Sequence, residues 1–263
     1  MNGPDPGIAV EIDLAHGGRW TSLRRGGVEW LWRRDAPDRY QATPGSAFVD
    51  AGGMEECIPT VRGRPDHGDA WCRPWTGDAG RASVTAAEFS LTRTLSVSGG
   101  SLTADYALAA APGYRFVWAA HLLLDLSSQA TLECEPGVAV RVFGGSESWV
   151  HRRWPDASGL HLNHLGPDDG TAVSAIVETP RALVRDGPRR LHLAVRGAGL
   201  PTAIGLWRNL RGWPVASRYR SIGVEPMLGR VWDRAVGSSR DKAVTDSDGR
   251  ARWRMTVALA AAT

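Results

Sequence analysis

The sequence predicts an all-β protein built as sheet on sheet or as a barrel. Three observations carry this: side chains alternate with period two along much of the chain, turn signals separate the alternating runs, and no amphipathic helix of useful length is found. Ile8, Val10, Ile12 and Leu14 alternate with Ala9, Glu11, Asp13 and Ala15. Leu102, Ala104, Tyr106 and Leu108 repeat the pattern, as do Leu191, Leu193 and Val195, and finally Trp253, Met255, Val257 and Leu259. Each run reads as a strand with one buried and one more polar face. The turn signals are His16-Gly17-Gly18, Ser98-Gly99-Gly100, Asp186-Gly187-Pro188 and Asp248-Gly249. The first lies between two apolar stretches and reads as a hairpin turn. Strands that cannot bury their apolar face on helices bury it on one another.

Composition sets the bounds. The chain has 263 residues, of which 43% are hydrophobic and 22% charged, enough to bury a core and unlike a disordered chain. No internal repeat or linker divides it, so the expectation is a single domain over 1–263. Net charge is +3, Lys242 is the only lysine, and the arginines are scattered without a dense run. That pattern lacks the clustered basic footprint of a nucleic-acid binder. No signal-peptide pattern and no apolar run near the ~20 residues of a membrane span is found. The cysteines, Cys57, Cys72 and Cys134, are odd in number and lack metal-ligand spacing. This fits a reducing, cytoplasmic compartment and no disulfide framework.

Two loop-rich regions, about 33–81 and about 143–170, interrupt the strands, and long loops in a compact domain are often functional. The first holds Gly52-Gly53-Met54-Glu55-Glu56-Cys57-Ile58-Pro59-Thr60, Arg62, Asp66-His67-Gly68-Asp69-Ala70-Trp71 and Pro74-Trp75. Carboxylates, a histidine, an arginine and indoles so close together can bind and protonate a polar ligand; a solvated surface loop is the competing reading. The second feature is Trp118-Ala119-Ala120-His121-Leu122-Leu123-Leu124-Asp125-Leu126, an apolar strand with one histidine. Taken by itself, it also fits a core histidine bonded to a backbone partner. The third is Ser221-Ile222-Gly223-Val224-Glu225-Pro226. Pro226 donates no ladder hydrogen bond, so Glu225 is expected at a strand end, facing a cleft or paired with an arginine at the rim.

Together these segments resemble the aldose 1-epimerases, the galactose-mutarotase family, and especially its shorter relatives. The resemblance lies in Glu-Glu-Cys-x-Pro-Thr, Asp-His-Gly-Asp-x-Trp, a central-strand histidine and a late Gly-x-Glu-Pro, in that order. Gly-Gly-Arg-Trp-Thr-Ser-Leu at 17–23, Glu29-Trp30-Leu31 and the last strand with Trp253 are similar too. His121 to Leu126 matches the register of the family's His-x-Tyr-Phe-Asn-Leu, with Leu123, Leu124 and Asp125 in place of Tyr, Phe and Asn. The resemblance implies a large antiparallel β-sandwich, the galactose-mutarotase-like supersandwich, acting without cofactor or metal. It implies Glu225 as base on the anomeric hydroxyl, His121 as acid on the ring oxygen, and His67 as a further acid or hydrogen-bonding group. These three are expected to converge on one cleft. Ring opening removes one proton and adds another nearby, so an acid and a base must flank the sugar.

Glu56, Arg62, Trp71, Asp125 and Trp207 are the expected substrate-binding residues, with Trp75 and Arg208 as further candidates. Sugars stack their C–H faces on indoles, and arginine forks match a phosphate or carboxylate. His161-Leu162-Asn163-His164 lies in a loop without a matching carboxylate pattern, so no metal site is expected there. The ligand is then a monosaccharide or sugar phosphate, and the protein a monomer or homodimer without nucleic-acid or membrane partners. Two other functions fit the same features: a carbohydrate-binding protein on the same fold without turnover, to which the Asp125 departure points, and another cofactor-free isomerase or lyase of a modified sugar.

Overall fold

The computed structural model describes residues 7–143, 148–157 and 159–260. Strands dominate it, and two short 3-10 turns, Pro37–Gln41 and Ser239–Asp241, are the helical elements among the described residues. The alternating runs of the sequence all form strands. The last, Arg250–Leu259, alternates exposed arginines with buried Ala251, Trp253, Met255 and Val257. No helix of the described residues is long and apolar enough to cross a membrane.

Two large antiparallel sheets share one apolar core. The cleft sheet has ten strands. In spatial order its path runs Ile8–Asp13, Arg19–Arg25, Met54–Cys57, Trp118–Leu124, Arg220–Leu228, Thr202–Leu210, Ala172–Val177, Ala139–Phe143 and Trp149–Arg153, with Val28–Glu29 beside the second. The back sheet has eight, centred on Arg250–Leu259, Ser101–Ala110 and Phe89–Ser98. This is the sandwich the sequence predicts.

The region 33–81 is more ordered than its composition suggests. Met54–Cys57 is a fully buried strand in the middle of the cleft sheet. It escapes an alternation test because both faces are covered and its two carboxylates are neutralised by buried arginines. Likewise Trp149–Arg153, within the second expected loop, is an edge strand. Residues 144–147 and 158 of that loop lie outside the described residues.

The turn at His16-Gly17-Gly18 joins the first two strands as expected. Its glycines also admit a close approach. Gly17 and Gly18 have φ of +87° and +61°, and a Cβ on Gly17 would lie 1.9 Å from the Trp71 carbonyl oxygen.

The central strand Trp118–Leu124 is buried along its whole length. Trp118, Ala120, Leu122 and Leu124 enter the core between the sheets. Ala119 faces the other way, in a second apolar cluster with Cys57, Val61, Phe143, Met227 and Trp232. Loops therefore cover the far face of the cleft sheet, and His121 points into that covered side.

The outer face of the back sheet collects arginines that are far apart in sequence. Arg81, Arg196, Arg252 and Arg254 line one shallow groove of about 440 Å³. Arg196 pairs across strands with Arg254, which binds Asp105 at 2.7 and 3.0 Å.

Candidate active site

A cavity of about 540 Å³ opens on the covered face of the cleft sheet. Its wall includes His67, His121, Glu225, Arg62 and Trp207, so the three expected acid–base residues share one space. Strand register brings them there. His121 pairs directly with Glu55 on one neighbouring strand. On the other side, the pairs Ala119–Met227 and Leu123–Gly223 bracket His121 and Glu225. The row Glu55, His121, Glu225 thus crosses three strands on one face.

His121 and Glu225 are hydrogen-bonded, with Nδ1 to Oε1 at 2.8 Å, and both are buried. Burial pulls the imidazole's pKa down, but the Glu225 carboxylate, with Asp50 and Glu55 farther off, outweighs it and pushes it up to about 9. His121 is therefore a cation at neutral pH. The other carboxylate oxygen, Glu225 Oε2, is buried with no hydrogen-bond partner among the described residues. An unpaired buried carboxylate oxygen is costly unless a ligand serves it.

Glycines make room for this carboxylate. Glu225 lies opposite Gly205, and Gly223 is two positions before it on the same face. A Cβ on Gly223 would stand 2.6 Å from Glu225 Oε1. Gly223→Ala should therefore fold but displace the carboxylate, and lower any activity of the site by about tenfold. Unchanged activity in a variant with a native circular-dichroism spectrum would dissociate the site from this geometry.

His67 stands at φ +55°, a region uncommon for residues other than glycine. Its Nδ1 bonds Asp66 Oδ1 at 2.9 Å, and its ring stacks on Phe48 at 3.7 Å and meets the His121 ring edge-on at 5.2 Å. Burial lowers its pKa, with the His121 cation adding to the effect and Asp66 opposing it. The Asp66 carboxyl, which burial alone would raise, is held below its ordinary value by hydrogen bonds from His67 and the Phe48 N–H. So the cavity holds one cationic and one neutral imidazole. Cys57, on the same face, is no nucleophile: burial and the Glu225 carboxylate push its thiol well up.

Several expected binding residues lie elsewhere. Glu56 alternates with Glu55 and so points to the opposite face, between the sheets. There its oxygens accept from Arg93 at 2.8 Å, Tyr106 at 2.8 Å and Trp118 at 2.7 Å. Glu55 is the one on the cleft side, bound through both oxygens to buried Arg39 at 2.9 Å each. Trp71 is buried behind the cavity; it touches Phe48 edge-on at 5.0 Å and donates its indole N–H to the Asp66 carbonyl at 3.1 Å. Trp75 packs against Gly18 and Arg93 in the core. Asp125 is exposed beyond the end of the central strand, outside the cavity wall. Arg208 faces away from the cleft toward Thr171 and Asp169. Glu56 and Arg208 point away from the cleft because of their position on the two-residue repeat of their strands, whereas Trp71, Trp75 and Asp125 lie outside the strands.

Others were not foreseen. Phe48, Asp50, Ser174, Trp213, Tyr219 and Trp232 also line the cavity. Asp50 accepts from the Tyr219 hydroxyl at 2.6 Å, and Tyr219 stacks on Trp32 at 5.3 Å. Asp66, which also lines the cavity, belongs to the Asp66-His67 segment singled out from the sequence.

The fold is that of the galactose-mutarotase-like proteins. A candidate aldose 1-epimerase from Escherichia coli K12 superposes with a TM-score of 0.72 over 96% of each chain, at 11% identity. A galactose mutarotase related enzyme from Lactobacillus acidophilus gives 0.68 at 14% identity, covering 99% of this chain and 97% of its own. A galactose mutarotase-like protein from Lactobacillus casei gives 0.65 at 16%, covering 99% of both. No protein-family model matches the sequence, and no curated protein matches it significantly.

Proposed function

We propose that the protein interconverts the anomers of a reducing sugar by acid–base ring opening. The observation that carries this is the buried His121–Glu225 pair, with Glu225 Oε2 unpartnered, in the wall of a cavity with room for a sugar. Glu225 Oε2 takes the proton of the anomeric hydroxyl. His121, whose Nδ1 is occupied by Glu225, donates from Nε2 to the ring oxygen. The bond between the anomeric carbon and the ring oxygen breaks, leaving an aldehyde and a free hydroxyl. The first carbon–carbon bond turns, and the same two transfers run backward to close the other anomer. His67, kept neutral, hydrogen-bonds the sugar or its ring oxygen from beside His121.

Asp125, the departure that pointed to binding without turnover, lies outside the cavity, so that reading loses its particular support. The deciding experiment is anomer exchange, followed by polarimetry or magnetisation transfer over a panel of free and phosphorylated sugars. Binding without exchange faster than buffer would replace the enzyme reading with a binding one.

The acid must be protonated. The rate kcat/KM should be level through neutral pH and fall as pH rises through about 9, where His121 loses its proton. The same group affects folding. Its raised pKa adds stability that is full below its ordinary 6.5 and is lost as pH rises through about 9. A profile level well beyond that pH, or an alkaline limb that persists in His121→Asn, would remove His121 from the acid role.

A further inference from the structure

We infer that the cavity mouth carries a second saccharide subsite, built on Trp213, so that the sugar taken at Glu225 is the reducing end of a di- or oligosaccharide. This rests on the proposed reading of the Glu225 end. Trp213 is 54% exposed, yet it lines the same cavity as His121 and Glu225. A single exposed indole means little by itself. Here the loop that presents it is held rigid.

Asn209, fully buried at the end of strand Thr202–Leu210, makes four hydrogen bonds from its amide to that loop. Its Oδ1 accepts from the N–H groups of Gly212 and Trp213 at 3.0 Å each. Its Nδ2 donates to the carbonyls of Trp213 at 2.7 Å and Tyr219 at 3.1 Å. Gly212 lets the loop pass close to its neighbour, since a Cβ there would lie 2.3 Å from the Thr171 carbonyl carbon. A loop fixed by buried hydrogen bonds loses little entropy when a ligand settles on it.

The order of side chains along the strand points outward from the reacting end. Gly205 faces Glu225, Trp207 follows, and Asn209, which holds the Trp213 loop, stands opposite Ser221. Trp207 and Asn209 both reach the Ser221 hydroxyl, at 3.1 and 3.4 Å. Four residues of strand separate the Gly205 and Asn209 levels, roughly 13 Å at the usual rise. That is more than one pyranose ring spans. The volume agrees: about 540 Å³ falls within the roughly 300–1,000 Å³ of pockets that enclose ligands larger than a single sugar ring. A ring linked to the outer side of the reducing sugar would lay its apolar C–H face on Trp213.

The test compares glucose and galactose with maltose, cellobiose and lactose in the full chain. Wild-type KM for anomer exchange should be about tenfold lower for at least one disaccharide than for its own reducing monosaccharide. Trp213→Ala should shrink that ratio to about twofold or less, and Trp213→Phe should retain most of it. No disaccharide preference, or a preference that survives Trp213→Ala, overturns the subsite. The same ratio of dissociation constants, measured by calorimetry, decides the matter if no sugar is exchanged. In that event the catalytic reading falls, and a Trp213-dependent disaccharide preference still establishes the subsite. Equal exchange of mono- and disaccharides does the reverse.

Discussion

Glu225→Gln should lose at least about a hundredfold in anomer exchange while folding normally and still binding sugar. Glutamine keeps the shape of the side chain and one hydrogen bond to His121, but cannot accept a proton at neutral pH. A positioned general base contributes about 10²–10⁴ in rate. The loss should appear in kcat, because the missing proton transfer belongs to the transition state. His121→Asn should lose a comparable factor. The double variant should be little worse than either single one, since an acid and a base that work in one relay fail together. Near-native exchange in Glu225→Gln on the true substrate would mean that the base is another group.

The second large effect is on stability. Glu56→Gln should destabilise the fold by about 3–5 kcal/mol, because it leaves the buried Arg93 guanidinium without its counter-charge. In a chain of this size that corresponds to a fall in Tm of roughly 6–20 °C. Adding Arg93→Met should recover much of the loss, since two compatible side chains replace an unpaired charge. The recovered double variant should keep its sugar affinity. A selective loss of affinity with stability intact would return Glu56 to the binding site, where the sequence alone had placed it.

These two glutamates show how far the sequence could be read. Period-two alternation sufficed for the strands with one wet face, such as Ser101–Ala110 and Arg250–Leu259, because water on one side forces polar residues into every second position. It failed for Met54–Cys57, buried on both sides, where no solvent imposes a pattern. There the consecutive acids read as a polar loop, and nothing local says which of Glu55 and Glu56 meets the cleft. Glu225 and His121 were legible because each interrupts an apolar segment, but the expected strand end at Glu225 was wrong: Pro226 lies within Arg220–Leu228, which continues two residues beyond it. Phe48, Trp213 and Trp232 were not, because an aromatic residue in a loop looks the same over a cavity as over the core.

The sequence by itself determined the all-β class, the strands with one exposed face, the turns, and the two titratable residues, His121 and Glu225, that interrupt apolar segments. Those properties are local: each is written within a few neighbouring residues. Only the tertiary structure decided that His121 and Glu225, 104 positions apart, share a hydrogen bond, and that Arg93 answers Glu56 across the sandwich. It also gathered scattered arginines into one groove on the back sheet, and set Trp213 rather than Trp71 or Trp75 at the cavity mouth. The physical reason is that strand register fixes who faces whom. Register follows from the mutual fit of distant faces in a common core, which no short stretch of chain contains.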